Sequence, residues 1–68
     1  MRYAVIFEKT ETSYGAYVPD LPGCVAVGDS LAEAKTLISE AMKHHVEELQ
    51  AGSGRVPDPS SVVAYIDA

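Results

Sequence analysis

The stretch Tyr14-Gly15-Ala16-Tyr17-Val18-Pro19-Asp20-Leu21-Pro22-Gly23-Cys24-Val25-Ala26-Val27 decides the fold. Its two ends, residues 14–18 and 24–27, are apolar and rich in aromatic and β-branched side chains, and each reads as a short strand. Between them Pro19 and Pro22 remove ladder donors, and Pro22-Gly23 is a turn dipeptide with Gly23 placed to supply positive φ. The chain therefore turns there. Upstream, Arg2-Tyr3-Ala4-Val5-Ile6-Phe7-Glu8 reads as another strand, with Tyr3, Val5 and Phe7 on one face and Ala4 and Ile6 on the other. The polar link Lys9-Thr10-Glu11-Thr12-Ser13 is short enough for an antiparallel hairpin. Three strands joined this way form an antiparallel meander.

Downstream, Gly28-Asp29 closes the third strand and Ser30-Leu31-Ala32-Glu33 reads as a capping box. The Ser30 hydroxyl is placed to take the Glu33 amide, and the Glu33 carboxylate to reach back to the Ser30 amide. A helix is predicted to about Ala51, with Leu31, Ala34, Ile38, Ala41, Met42, His45 and Leu49 on its apolar side. Gly52 is the stop signal. A Gly/Pro-rich connector over 52–60 leads to Val62-Val63-Ala64-Tyr65-Ile66, which reads as a fourth strand. The helix reverses the chain, so this strand is expected to lie parallel to the first, through a right-handed crossover. The expectation is one α+β domain over residues 1–68, a three-stranded meander with a helix on one face and a fourth strand beside strand 1.

Composition limits how such a domain can exist. Sixty-eight residues bury only about 60% of the surface that their unfolded chain exposes. The single Cys24 excludes an internal disulfide, and association remains as the source of further stability. One helix cannot cover both faces of the sheet, so the uncovered face is expected to meet another chain and the protein to be a homo-oligomer, dimer or larger. Possible contact residues are Ala4, Ile6, Tyr17, Leu21, His44 and Tyr65. Leu21, an apolar side chain at a turn tip, either packs inward or docks on a partner. Ten acidic against five basic residues give a net charge of −5, which disfavours unaided nucleic-acid binding and attracts a basic partner. No run approaches a membrane span and the N-terminus is no signal peptide, so a cytoplasmic setting is expected.

Catalytic constellations are weak. His44 and His45 are adjacent and point about 100° apart on a helix, so they cannot share a metal. His45 falls in the apolar stripe, while His44 lies on a flank. Cys24 opens an apolar strand with no basic neighbour to make it a thiolate. The strand order resembles half of a ribonuclease H-like core, whose two metals need acids on the central strand, yet strand 1 carries none between Tyr3 and Phe7. Asp20, Asp29, Asp58 and Asp67 fall at turns or ends. No cofactor or metal site is expected, and the chain reads as a binding protein, not an enzyme.

The ordered set Tyr17-Val18-Pro19-Asp20-Leu21-Pro22-Gly23-Cys24, Gly28-Asp29-Ser30, Glu33-Ala34, Ala41 and Pro57-Asp58-Pro59 resembles the signature of HicB-type antitoxins. The resemblance covers essentially the whole chain. It implies a β-β-β-α-β partial ribonuclease H-like fold without nuclease activity. It also implies a partner, a small basic HicA-like toxin that cleaves messenger RNA and that the antitoxin binds and blocks. Longer members of that family add a C-terminal DNA-binding segment. This chain stops at Ala68, so direct DNA binding is not expected. The alternatives are a solitary oligomeric binding or scaffold protein of the same fold and, more remotely, a residual metal-dependent nuclease.

Overall fold

The computed structural model describes residues 1–52 and 54–68; Ser53, which the sequence places in the connector, lies outside the described residues. Strands β1 (Ile6–Lys9), β2 (Tyr14–Tyr17) and β3 (Val25–Gly28) are followed by helix α1 (Leu31–Ala51). The strands form one antiparallel sheet in the order β1-β2-β3, with Ile6 opposite Tyr17 and Tyr17 opposite Val25. The meander and the helix thus lie where the sequence puts them.

Two consecutive turns build the β2–β3 connection. Leu21 donates its amide to the Val18 carbonyl at 3.1 Å, and the Cys24 amide donates to the Leu21 carbonyl at 3.0 Å. In the second turn Pro22 and Gly23 are the central residues and Gly23 has φ 84°, the pattern of a type II turn. Leu21 belongs to both turns. Both of its backbone polar groups are satisfied locally, which frees its side chain to point inward, where it is 0% exposed. Of the two expectations for this residue, inward packing is the one realised; as a partner contact it has no surface to offer.

Leu21 centres the core, with Ala16, Val18, Cys24 and Ile38 around it and Tyr3, Val5, Phe7, Ala26, Ala41, Met42 and Val46 partly buried against it. Helix α1 packs chiefly across β3 and β2. Its start is set by Ser30, whose hydroxyl accepts the Glu33 amide at 3.1 Å. The Glu33 carboxylate takes the Asp29 amide at 2.8 Å, one residue before the expected Ser30 amide. Gly28 lets the strand abut that first turn, because a Cβ there would lie 2.7 Å from the Ala34 nitrogen. At the far end Gly52 caps the helix with φ −83°, an ordinary conformation, and the Gly54 amide reaches the Leu49 carbonyl at 2.9 Å.

Two expectations about strands change. The first strand was expected over 2–8 but pairs only from Ile6, because the register carried outward sets Pro19, which has no amide proton, opposite Ala4. Val18, next in line, instead donates its amide to the Cys24 carbonyl at 3.2 Å. The fourth strand, expected over 62–66, is not formed in the single chain: Val62, Tyr65 and Ile66 are 92%, 91% and 90% exposed. Among the described residues, strand propensity in that segment meets no ladder partner.

Candidate protein-interaction surface

The sheet has one face under the helix and one face open. Alternation sends Phe7, Ala16 and Ala26 toward α1, and Ile6, Tyr17 and Val25 to the opposite side in one row across the sheet. The next row on that open face is Glu8, Gly15 and Val27. Val25 and Val27 are 64% and 65% exposed, and Tyr17 is exposed beside them. Isolated exposed apolar residues are ordinary, but a contiguous row on one sheet face marks an interaction surface. Of the expected contact residues, Ile6 and Tyr17 lie in this row, and half-buried Ala4 precedes it on the same strand face. Val25 and Val27 were missed by the sequence reading, although the alternation Cys24, Ala26, Gly28 inward and Val25, Val27 outward contains the signal.

His44 and Tyr65 are not part of this face. His44 is exposed on α1, with its Nε2 3.3 Å from the Glu48 carboxylate one helical turn on. Tyr65 projects from the C-terminal segment. His45 is half-buried on the apolar side of α1, as its place in the stripe suggests. Burial pushes the Cys24 thiol pKa up, which disfavours the reactive thiolate.

Asp20 has a role that turn chemistry did not reveal. One carboxylate oxygen, Oδ2, accepts the backbone amides of Ser60 and Ser61, each at 2.9 Å, while Oδ1 accepts the Ser60 hydroxyl at 3.1 Å and the Ser61 hydroxyl at 2.8 Å. These bonds, the two amides above all, hold the carboxyl at about 2, well below the usual carboxylate range. The Tyr3 hydroxyl donates to the Pro57 carbonyl. The proline-rich connector is thereby fastened to the body at two points. Nearby, Met1, Tyr3, Met42, Lys43, Val46 and Glu47 line an open groove of about 290 Å³ between the N-terminal segment and α1.

Among the described residues no three His, Cys, Asp or Glu side chains converge as a metal site. No helix among them is long and apolar enough to cross a membrane.

Comparison with known proteins places this geometry. A family model described as the HicB-like antitoxin of bacterial toxin–antitoxin systems matches residues 3–68. A UPF0150 protein of Helicobacter pylori is 38% identical over 63 residues, 91% of this chain and 88% of that protein. UPF0150 protein ssr1765 of Synechocystis is 37% identical over 62 residues, 90% of this chain and 78% of that one. An uncharacterized 14.9 kDa protein from the rep-hol intergenic region of Haemophilus phage HP1 is 34% identical over 67 residues; the match takes 98% of this chain and spans 50% of the phage protein. Among solved structures, a HicA3 and HicB3 toxin–antitoxin complex contains a chain similar to this one, with a TM-score of 0.73 and 28% identity over 87% of this chain and 70% of that one. The motif loop around Leu21, the meander, the helix and these matches lead to one assignment: the chain belongs to the family of HicB-like antitoxins of bacterial toxin–antitoxin systems.

Proposed function

We propose that this chain is a non-catalytic antitoxin that binds a small, basic HicA-like toxin and blocks its RNA-cleaving surface. The observation that carries the reading is the open sheet face, with the apolar row Ile6, Tyr17 and Val25 and exposed Val27 in the row beside it, on a chain of net charge −5. An apolar patch supplies the buried centre of an interface, and opposite net charge raises the encounter rate and disfavours wrong partners. The structural likeness to a chain of a HicA3 and HicB3 complex supports the same partner class. In this reading the protein is a cytoplasmic homo-oligomer. Segment 62–66 completes a partial ribonuclease H-like sheet as a fourth strand parallel to β1.

The test is a titration of the purified chain with a HicA-like toxin encoded beside it, read by calorimetry and by cleavage of a labelled RNA. A complex tighter than micromolar that weakens with salt, and loss of cleavage near equimolar antitoxin, are expected. Val25→Asp combined with Val27→Asp should weaken the complex at least tenfold and leave the far-UV spectrum unchanged. Absence of a complex at micromolar concentration overturns the proposal.

A further inference from the structure

Two incomplete features lie on this chain, and each has the shape of the other's missing partner. The first is the segment 62–66. Its start is fixed by the Asp20 carboxylate, which holds the Ser60 and Ser61 amides, and Pro57 and Pro59 stiffen the approach. Beyond that clasp Val62, Tyr65 and Ile66 are almost wholly exposed and Val63 is half exposed. The molecule measures 40 × 27 × 15 Å and its radius of gyration is 13.0 Å, against about 11 Å for a compact domain of this length. The arm carries apolar residues on both faces, Val62, Ala64 and Ile66 on one and Val63 and Tyr65 on the other. A strand of that pattern needs cover on both sides.

The second feature is the outer edge of β1. The sheet order leaves β1 at the edge, and residues 3–5, half-buried and with Tyr3 and Val5 packed against the core, continue that edge beyond the reach of β2. Below it runs the groove between Tyr3 and the α1 residues Met42 and Val46. Helix α1 sits over β3 and β2, so this side of the helix lacks a strand beneath it. One added strand along residues 2–8 would satisfy the unpaired edge, fill the groove with one row of side chains and set the other row beside Ala4 and Ile6. Five residues at about 3.3 Å each span about 16 Å, enough to line five of the seven residues of that edge.

We propose that the arm 62–66 of one copy adds to the β1 edge of a second copy as its fourth strand, and that the exchange is reciprocal. It rests on the homo-oligomeric part of the reading above and gives that oligomer a structure. The occupant is a second copy because one chain carries both halves, and a two-fold pair satisfies both at once. The clasp argues against the arm serving its own edge: Ser61 is pinned to Asp20 and Val62, the next residue, is already directed into solvent. Asp20 then acts as the hinge post that aims the arm.

The experiment uses the full chain without toxin, so its failure leaves the antitoxin reading standing. Sedimentation equilibrium should give twice the 7.2 kDa chain mass at micromolar concentration. Tyr65→Asp with Ile66→Asp, both positions outside the single-chain core, should weaken the dimer at least tenfold while circular dichroism shows the same folded body. In a 1:1 mixture of isotope-labelled and unlabelled chain, refolded together, contacts are expected from Tyr65 or Ile66 of one copy to Met42 or Val46 of the other. A monomer at micromolar concentration, a dimer indifferent to the double substitution, or contacts confined to one copy would each overturn arm exchange.

Discussion

Replacing Leu21 with Ala separates the two roles that its position at a turn tip suggests. The side chain has no exposed surface and contacts a core of Ala16, Val18, Cys24 and Ile38. Truncating a buried leucine typically costs about 2–5 kcal/mol, and the cost rises when the surroundings cannot collapse into the void. Here they are held: the Leu21 amide is bonded to Val18 at 3.1 Å and its carbonyl to Cys24 at 3.0 Å, so the backbone cannot follow the shortened side chain inward. A loss of about 3 kcal/mol is expected. A domain of this length has about 3–10 kcal/mol in all, so the variant forfeits a third or more of its stability. At about 4–8 °C per kcal/mol for small domains, Tm falls by about 12–24 °C. The assay is thermal and urea unfolding followed by circular dichroism at fixed protein concentration, since any association shifts the midpoint. The urea midpoint should fall with an unchanged slope. Val25→Ala, on the open sheet face, should stay within about 1 kcal/mol. A Leu21→Ala variant that melts within about 4 °C of the parent yet loses its partner would refute the packing argument and return Leu21 to the surface.

Four further outcomes follow from local geometry. Gly28→Ala drives a Cβ to within 2.7 Å of the Ala34 nitrogen and should cost about 1–3 kcal/mol, visible as a lower urea midpoint. Gly23→Ala meets no atom within 4 Å and should cost only the left-handed strain at φ +84°, about 1–2 kcal/mol. Ser30→Ala leaves the Glu33 amide without its cap and should cost about 1 kcal/mol in the same assay. The Asp20 clasp has a pH window: its carboxyl lies near 2 in the folded chain against an ordinary 3.8, so the ionised carboxylate stabilises the clasp fully above about pH 4. That contribution is lost as pH falls from about 4 through 2. The Ser60 and Ser61 amide resonances should report release there, and Asp20→Asn should show weakened protection already at pH 7.

The parts that were legible in the sequence are those fixed by neighbours along the chain. Helix α1 begins and ends where Ser30, Glu33 and Gly52 say, because caps and stops act within one turn. The Pro-Asp-Leu-Pro-Gly stretch is a turn pair for the same reason. Illegible were the features decided by distant residues. How far β1 extends depends on what β2 presents opposite it, and Pro19 ends that pairing at Ile6. The 62–66 segment has the composition of a strand, but a strand exists only where an edge receives it. Asp20 reads as a turn-former from its neighbours alone; its bonds to residues forty positions away are visible only in three dimensions. Val25 and Val27 were legible in principle, because the period-two alternation that turns Cys24, Ala26 and Gly28 inward turns them outward.

The open sheet face and the free arm are physically coupled through β1. Ala4 and Ile6 border the edge that the arm is proposed to join, so an added strand would widen the apolar row with residues of a second copy. The surface offered to a toxin would then be composite, and its completeness would depend on antitoxin concentration. A monomer would present the narrow row Ile6, Tyr17 and Val25 with an unpaired edge beside it, while a dimer would present a broader face with the edge sealed. Linkage then makes the coupling reciprocal: by whatever factor the dimer binds toxin more tightly than the monomer does, toxin binding tightens the dimer in return. Such a linkage would also explain why a residue as remote as Asp20 is tied into four hydrogen bonds. Fixing the direction of the arm before encounter lowers the ordering cost of the exchange, and through it the cost of building the face that the partner meets.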